Sequence, residues 1–386
     1  MGKIAVFCDE YLPGELEYLH DDLRRLEEFK LDIYTRKFNS AFKFYRPGIN
    51  IYENQHYGAV LSSQLQTATG FALERFLEIN SREKYDFILA LSGMSGVFAS
   101  SISSEIQARL VVFFHEDDVA SFFVSPRNYS PLWEDYRLSR FELFNETDLA
   151  LVQNEELAQL LQEAGLNEKK IKIYHSGIDT EFFDIEKSKF QGFSGENNAP
   201  MVAMQGNTKP KYGLYYGIKA FMKMKEEVDS VKLLIISSEK NTSRLKSMVN
   251  KAGLKEDYII SRAENNQEVI DLLAGSTIAV VPGVISIHFQ RNVATRFAMA
   301  AAALGLPLVG TYHGGIPSII EDGVNGYLVP ERNTALLADR MAALLKNKDN
   351  IYVMGKNSRA KMEFEFGIER STRLLIHYFN LFLSPQ

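Results

Sequence analysis

Short apolar runs bounded by charge alternate along this chain with stretches whose apolar residues recur at helical spacing. Lys3 to Cys8 is a run of the first kind, and Leu16 to Phe29 follows with apolar positions at Leu16, Leu19, Leu23 and Leu26. Leu31 to Tyr34, Phe87 to Leu91, Leu110 to Phe114 and Leu149 to Gln153 repeat the strand pattern, with a helix expected after Gly96. Asn154 can cap a helix over EELAQLLQEAGL that Gly165 ends. Runs buried on both faces read as parallel strands, so the rhythm predicts an α/β fold with doubly wound sheets.

Residues 184 to 199, DIEKSKFQGFSGENNA, lose all periodicity and collect Ser, Gly and Asn, as a linker does. Beyond it the rhythm resumes at Met201 to Met204, Val231 to Ile236, Tyr258 to Ile260 and Ile278 to Val281. A small-residue helix from Phe297 to Leu304 precedes a short strand at Leu308 and Val309, and a further helix is expected to open at Pro317. The segment Phe366 to Phe382 has helical spacing after the second sheet is complete. The division expected is therefore 1–183 for a first domain and 200–365 for a second.

Composition narrows the classes. At 386 residues, 46% hydrophobic and 24% charged, the chain fits two ordinary soluble domains. Its net charge of −6 supplies no global positive field for nucleic acid. The one cysteine, Cys8, makes neither an internal disulfide nor a zinc site and points to a reducing compartment. MGKIAVFCDE turns acidic after too few apolar residues for a signal-peptide core, and no run approaches the length of a membrane span, so a cytoplasmic protein is expected.

Two stretches carry candidate chemistry. The strand ending at Phe114 runs into His115-Glu116-Asp117-Asp118, and ligands of open α/β sheets gather at the carboxyl ends of strands. The stretch LPLVGTYHGGIPSIIEDGVNGYLVP reads as strand, glycine loop and helix start, where a backbone approaches a ligand closely and unpaired N–H groups favour phosphate. Each also reads as plain structure, a satisfied histidine in one case and an ordinary βα turn in the other.

The order AxGLPLV, GGIPSIIEDGVNGYLVP and a following helix resembles the donor-binding segment of family 4 glycosyltransferases of the GT-B fold. The resemblance implies two Rossmann-like domains around a cleft, with the C-terminal helix, 366–386, crossing back to the first. It also implies transfer of a sugar from a nucleotide-sugar donor of UDP or GDP type to a glycan or lipid-linked acceptor, retaining, with no metal and no further cofactor. HEDD resembles the family's FHGxD junction, which gives His115 and Asp118 catalytic roles. KIKIYHSGIDTEFF resembles the segment that closes the first domain, although Asp179 there reads better as a turn cap.

The donor positions depart from the pattern. Where the resemblance expects an arginine and a lysine on the diphosphate, the chain has Asn207 and Tyr212. Where it expects three glutamates, it has Asn292, Ala300 and Ser318. Losing two fixed cations without replacement would cost about 10⁴-fold in rate. The replacement candidates are Lys209, Lys211 and Arg291, so the expected donor site comprises Asn207, Lys209, Lys211, Arg291, Asn292, Gly314 and Gly315. The alternative is a catalytically inactive relative that serves as partner or acceptor-binding subunit of an active transferase. Peripheral attachment to the inner membrane face is left open by the family.

Overall fold

The computed structural model describes residues 2–11, 17–38, 48–53, 84–123, 131–189, 199–239, 242–285 and 295–383. The chain divides into two compact units, Met1–Gly177 together with Ile368–Gln386, and Ile178–Gly367.

The first unit is built on a parallel sheet of β1 (Gly2–Tyr11), β2 (Phe29–Phe38), β3 (Ile49–Glu53), β4 (Phe87–Ala90), β5 (Arg109–Phe113), β6 (Thr147–Val152) and β7 (Ile171–Ile173), in the order β3-β2-β1-β4-β5-β6-β7. Alternate residues of each strand feed opposite cores. Ala5, Phe7, Ile88, Ala90, Leu110 and Val112 pack on one face. Ile4, Val6, Phe87, Leu89, Val111 and Phe113 pack on the other. That two-sided burial is why these strands appear in the sequence as unbroken apolar runs.

The C-terminal helix Ile368–Leu383 belongs to this unit. Its Phe379 is fully buried, with ring centroids 4.8 Å from Phe87 and 5.4 Å from Phe29. Gly177 makes the close approach of this helix feasible, because a Cβ there would lie 2.3 Å from the Cα of Ile368. Beside it, Ser371 Oγ donates to the buried Asp22 carboxylate at 2.9 Å. Burial drives the Asp22 pKa up to about 6, against the pull of hydrogen bonds from Ser176, Ser371 and Tyr174.

One expectation needs correction here. Phe29 starts β2 instead of ending the first helix, which stops at Arg24. β2 also runs through the charged Asp32, which is buried because Lys3 Nζ (2.7 Å), Tyr85 Oη (2.6 Å) and Asn50 Nδ2 (2.7 Å) all reach its carboxylate. Those donors hold the Asp32 carboxyl below its ordinary pKa despite the burial.

The second unit repeats the plan with β8 (Met201–Gln205), β9 (Lys232–Ser237), β10 (Tyr258–Arg262), β11 (Ile278–Val281), β12 (Leu308–Thr311) and β13 (Gly326–Val329), ordered β10-β9-β8-β11-β12-β13 and parallel throughout. Val202, Met204, Leu233 and Ile235 face the helices Leu214–Met224, Ser243–Ala252 and Thr334–Leu345. Met201, Ala203, Leu234 and Ile236 face Asn266–Ala274, Thr295–Ala303 and Ile316–Ile319. Ile178 and Phe183 are buried in this second core. The two units therefore divide ahead of the 184–199 segment, within which Ile185–Lys187 forms a 3-10 turn.

Candidate functional site

In the first unit, β5 ends at Phe113 and the chain turns at His115 into the short helix Glu116–Ala120. One carboxylate oxygen of Asp118, Oδ2, accepts the backbone N–H of His115 at 2.9 Å and that of Gly93 at 2.9 Å. Gly93 opens the helix Gly93–Ile106 that follows β4, so Asp118 ties the carboxyl ends of two adjacent strands together. Asp118 is 3% exposed, and burial raises its pKa, the nearby His115 and the two N–H donors pulling the other way.

His115 Nε2 lies 2.7 Å from the carbonyl oxygen of Leu91. A carbonyl only accepts, so Nε2 carries a proton in this contact. His115 is half-buried while Asp118 is sealed. The geometry thus makes Asp118 a positioning group behind His115, a distinction that the sequence pattern of two polar residues three apart does not carry.

In the second unit the strand ends converge on one layer of loops. After β8, Asn207 Oδ1 accepts the N–H of Lys209 at 2.9 Å, and Pro210–Tyr212 forms a 3-10 turn. Gly213 closes it at φ +63, where a Cβ would meet the Pro282 carbonyl oxygen at 1.6 Å. Only glycine fits that crossing. The carbonyl of Lys211 accepts from Val284 N at 3.0 Å, which joins this loop to the one after β11.

Two of the positions where the resemblance expects charge are filled with packing. Tyr212 is 7% exposed and lies in the same apolar cluster as Ala300, which is 2% exposed. Lys211, a replacement candidate, is itself 1% exposed. Lys209 is exposed at the edge of the loop. Arg291 and Asn292 lie outside the described residues.

The Gly314-Gly315 loop follows β12, with Gly314 at φ +49, and leads into Ile316–Ile319. That helix is a single turn, so the dipole expected at Pro317 is short. Ser318 Oγ bonds back to the Gly315 carbonyl at 2.7 Å. The EDGVNG turn after it is a structural device: Asn325 is buried, accepts from Glu321 N at 2.7 Å and donates to Ile319 O at 2.9 Å.

A pair that sequence reasoning passed over holds these loops together. His313, buried just ahead of Gly314, places Nδ1 2.6 Å from Glu331 Oε1, and the other oxygen of Glu331 accepts Ile285 N at 2.8 Å. Thr311 Oγ1 donates to Gly283 O at 2.6 Å. The ends of β11, β12 and β13 are thereby clamped to one another. A histidine at a strand end directly before two glycines was the available signal; its carboxylate partner comes from a different strand end. Among the described residues no group of three or more His, Cys, Asp and Glu is placed to hold a metal ion, and no helix is long and apolar enough to cross a membrane.

Two parallel, doubly wound sheets with the last helix returned to the first make this an α/β protein of GT-B architecture. Residues 185–361, all within the second unit, match the family model for glycosyl transferases group 1. The chain is 26% identical over 284 residues to a protein of Escherichia coli (strain K12) whose name places it in colanic acid biosynthesis as a glycosyltransferase, covering 73% of this chain and 67% of that one. It is 23% identical to the amylovoran biosynthesis glycosyltransferase of Erwinia amylovora, over 73% of this chain and 66% of the other. Among solved structures, HepE of Anabaena in complex with UDP and glucose superposes with a TM-score of 0.78 at 16% identity, over 98% of this chain and 100% of that one. Sucrose-phosphate synthase of Thermosynechococcus elongatus gives 0.79 at 14% identity, over 99% of each. At these identities the structural likeness speaks for the fold.

Proposed function

We propose that this protein is a glycosyltransferase that moves a sugar from a nucleoside diphosphate carrier of UDP or GDP type to a glycan or lipid-linked acceptor, with retention and without a metal ion. The observation that carries this reading is the group 1 match across the second unit, at whose strand ends the three loops are clamped by Glu331, His313 and Thr311. A diphosphate leaving group needs donors fixed before the reaction starts, and loops bonded to one another supply that rigidity. Support also comes from the relatives, which are named as glycosyltransferases of colanic acid and amylovoran biosynthesis.

In this reading Lys209 and Arg291 supply charge to the diphosphate, while Asn207, Asn292 and the Gly314-Gly315 backbone shape the site. Lys211 is sealed in the loop and acts by holding it. His115, whose Nε2 lies 2.7 Å from the Leu91 carbonyl, is the candidate catalytic group, and Asp118 positions it through its backbone N–H.

Calorimetry of the full chain against UDP and GDP tests this. Micromolar binding is expected, weakened about tenfold or more by Lys209→Ala, which removes one charged hydrogen-bond donor. No binding of either nucleotide at about millimolar concentration would hand the case to a second reading, in which the protein is the non-catalytic partner subunit of a transferase. One observation favours that second reading: Tyr212 and Ala300 do not merely replace a lysine and a glutamate but fill their space with core.

A further inference from the structure

Next to the His115–Asp118 turn of the first unit sits Tyr136, on the helix Pro131–Leu138. Its side chain is fully buried, yet among the described residues its Oη has no hydrogen-bond partner. Buried hydroxyls are almost always paired, because an unpaired one costs stability that phenylalanine at the same place would keep. The ring itself is placed by apolar contacts alone. It stacks on Phe122 with centroids 5.1 Å apart and forms a T with Trp133 at 5.7 Å. The oxygen is therefore not what anchors the side chain.

What the oxygen borders is the start of the helix Gly93–Ile106. A Cβ on Gly93 would stand 2.2 Å from Tyr136 Oη and 3.1 Å from Asp118 Cγ, so hydroxyl and carboxylate edge the same small space, which the glycine keeps open. Oδ2 of Asp118 already accepts the N–H groups of Gly93 and His115. Oδ1 accepts from none of the described residues. An unpaired donor and an unpaired acceptor thus meet at one point of the site.

The surrounding charges leave the phenol as a donor. Burial and the charge of Asp118 both push the Tyr136 hydroxyl far up, so its proton stays in place. Acting on Asp118 from its own turn are His115, which favours the carboxylate, and Asp117, which opposes it. The first turn of Gly93–Ile106 carries no charged side chain. The acids of the neighbouring helix Glu155–Glu163, which are Glu155, Glu156 and Glu163, are exposed.

We propose that Tyr136 is a positioning residue of the His115 site: its hydroxyl donates to Oδ1 of the ionised Asp118, so that both oxygens of the carboxylate are held and the turn carrying His115 keeps one orientation. A hydrogen bond to a carboxylate is among the stronger kinds, and a reacting group gains from being fixed before the reaction. The loop from Leu91 to Gly93 is held from the same turn at two places, by the His115 ring at the Leu91 carbonyl and by Asp118 at Gly93 N. The inference rests on the glycosyltransferase reading for the use made of His115; the Tyr136–Asp118 contact does not.

The test compares the full chain with Tyr136→Phe, which keeps both ring contacts and removes only the hydroxyl. Aspartate labelled with carbon-13 at the carboxyl, assigned through Asp118→Asn, reports the pH midpoint of Asp118 by NMR, and nitrogen-15 histidine reports exchange of the His115 Nε2 proton. Loss of a donor to the charged form should raise the Asp118 midpoint by about half a pH unit or more. The Nε2 proton should exchange about threefold faster or more as the turn loosens. An unchanged midpoint, or a raised midpoint with His115 exchange as in wild type, would overturn the proposal. Should Tyr136→Phe not fold, the ring carbon bonded to Oη decides in the wild type: its resonance is expected to follow the Asp118 transition and to lose that step in Asp118→Asn, and a flat response overturns the contact. UDP affinity, read by calorimetry, should be equal in wild type and Tyr136→Phe. A wild type that binds neither UDP nor GDP counts against the glycosyltransferase reading alone, because the NMR result still decides the role of Tyr136.

Discussion

The loop that follows β5 and the loop that follows β8 occupy equivalent places, each at the carboxyl end of a parallel strand, yet they use their polar residues in opposite ways. At the first, a buried carboxylate, Asp118, spends Oδ2 on two backbone N–H groups and leaves His115 half-exposed beside it. At the second, the positions where charge was expected hold Tyr212, packed into the core, and Asn207, which folds the loop onto itself through Lys209 N. A position at which the sequence resemblance expects charge can thus be taken up by packing or by a local turn. The chemistry must then be sought in neighbours such as Lys209, or in the loop clamp built by Glu331.

The largest effect expected on this contrast is from Gly213→Ala. The added carbon would collide with the Pro282 carbonyl oxygen at 1.6 Å, so the two loops must part, at about 4 kcal/mol or more. A urea midpoint close to wild type would show that the β8 and β11 loops are not interlocked. Next comes Asp118→Ala, which leaves two buried N–H groups unbonded and costs about 3 kcal/mol. Asp118→Asn keeps an acceptor and should cost under about 1 kcal/mol while His115 stays in register. If both substitutions were equally damaging, charge and not positioning would be what Asp118 contributes.

A smaller effect, on pH dependence, sharpens the same point about buried carboxylates. Asp22 has its pKa raised from 3.8 to about 6 in the fold, so it binds a proton more readily folded than unfolded. Its contribution is therefore fully present below pH 3.8 and is lost as pH rises to about 6. The shift corresponds to about 3 kcal/mol as an upper figure. Asp22→Asn should flatten that part of the stability curve and raise stability at neutral pH; an unchanged slope between pH 4 and pH 6 in denaturant titrations would refute it.

Much of the fold was legible because burial on both faces turns a parallel strand into an apolar run, as at Lys3 to Cys8 and Ile278 to Val281. β3 escaped because Ile49–Glu53 is a short edge strand with polar residues in alternation. β2 was read too short, from Leu31 to Tyr34, because charge flanks that stretch in the sequence, Lys30 before it and Arg36 and Lys37 after it. At the site, the glycine and histidine positions were visible, but their roles were not. Burial separates Asp118 from His115 and Lys211 from Lys209, and a sequence motif carries spacing without solvent access. The His313–Glu331 pair joins two different strand ends, so no local pattern contains it.

The first unit is discontinuous, since its last helix is encoded after the whole of the second. During synthesis the second unit, an unbroken stretch from Ile178 to Gly367, has all its strands available before the first unit has its final helix. Until Phe379 leaves the ribosome, the face of Phe29 and Phe87 lacks its cover. The unit that begins the chain is therefore the one that finishes folding last, and a nascent chain stalled within the second unit exposes a ready-made apolar surface to chaperones.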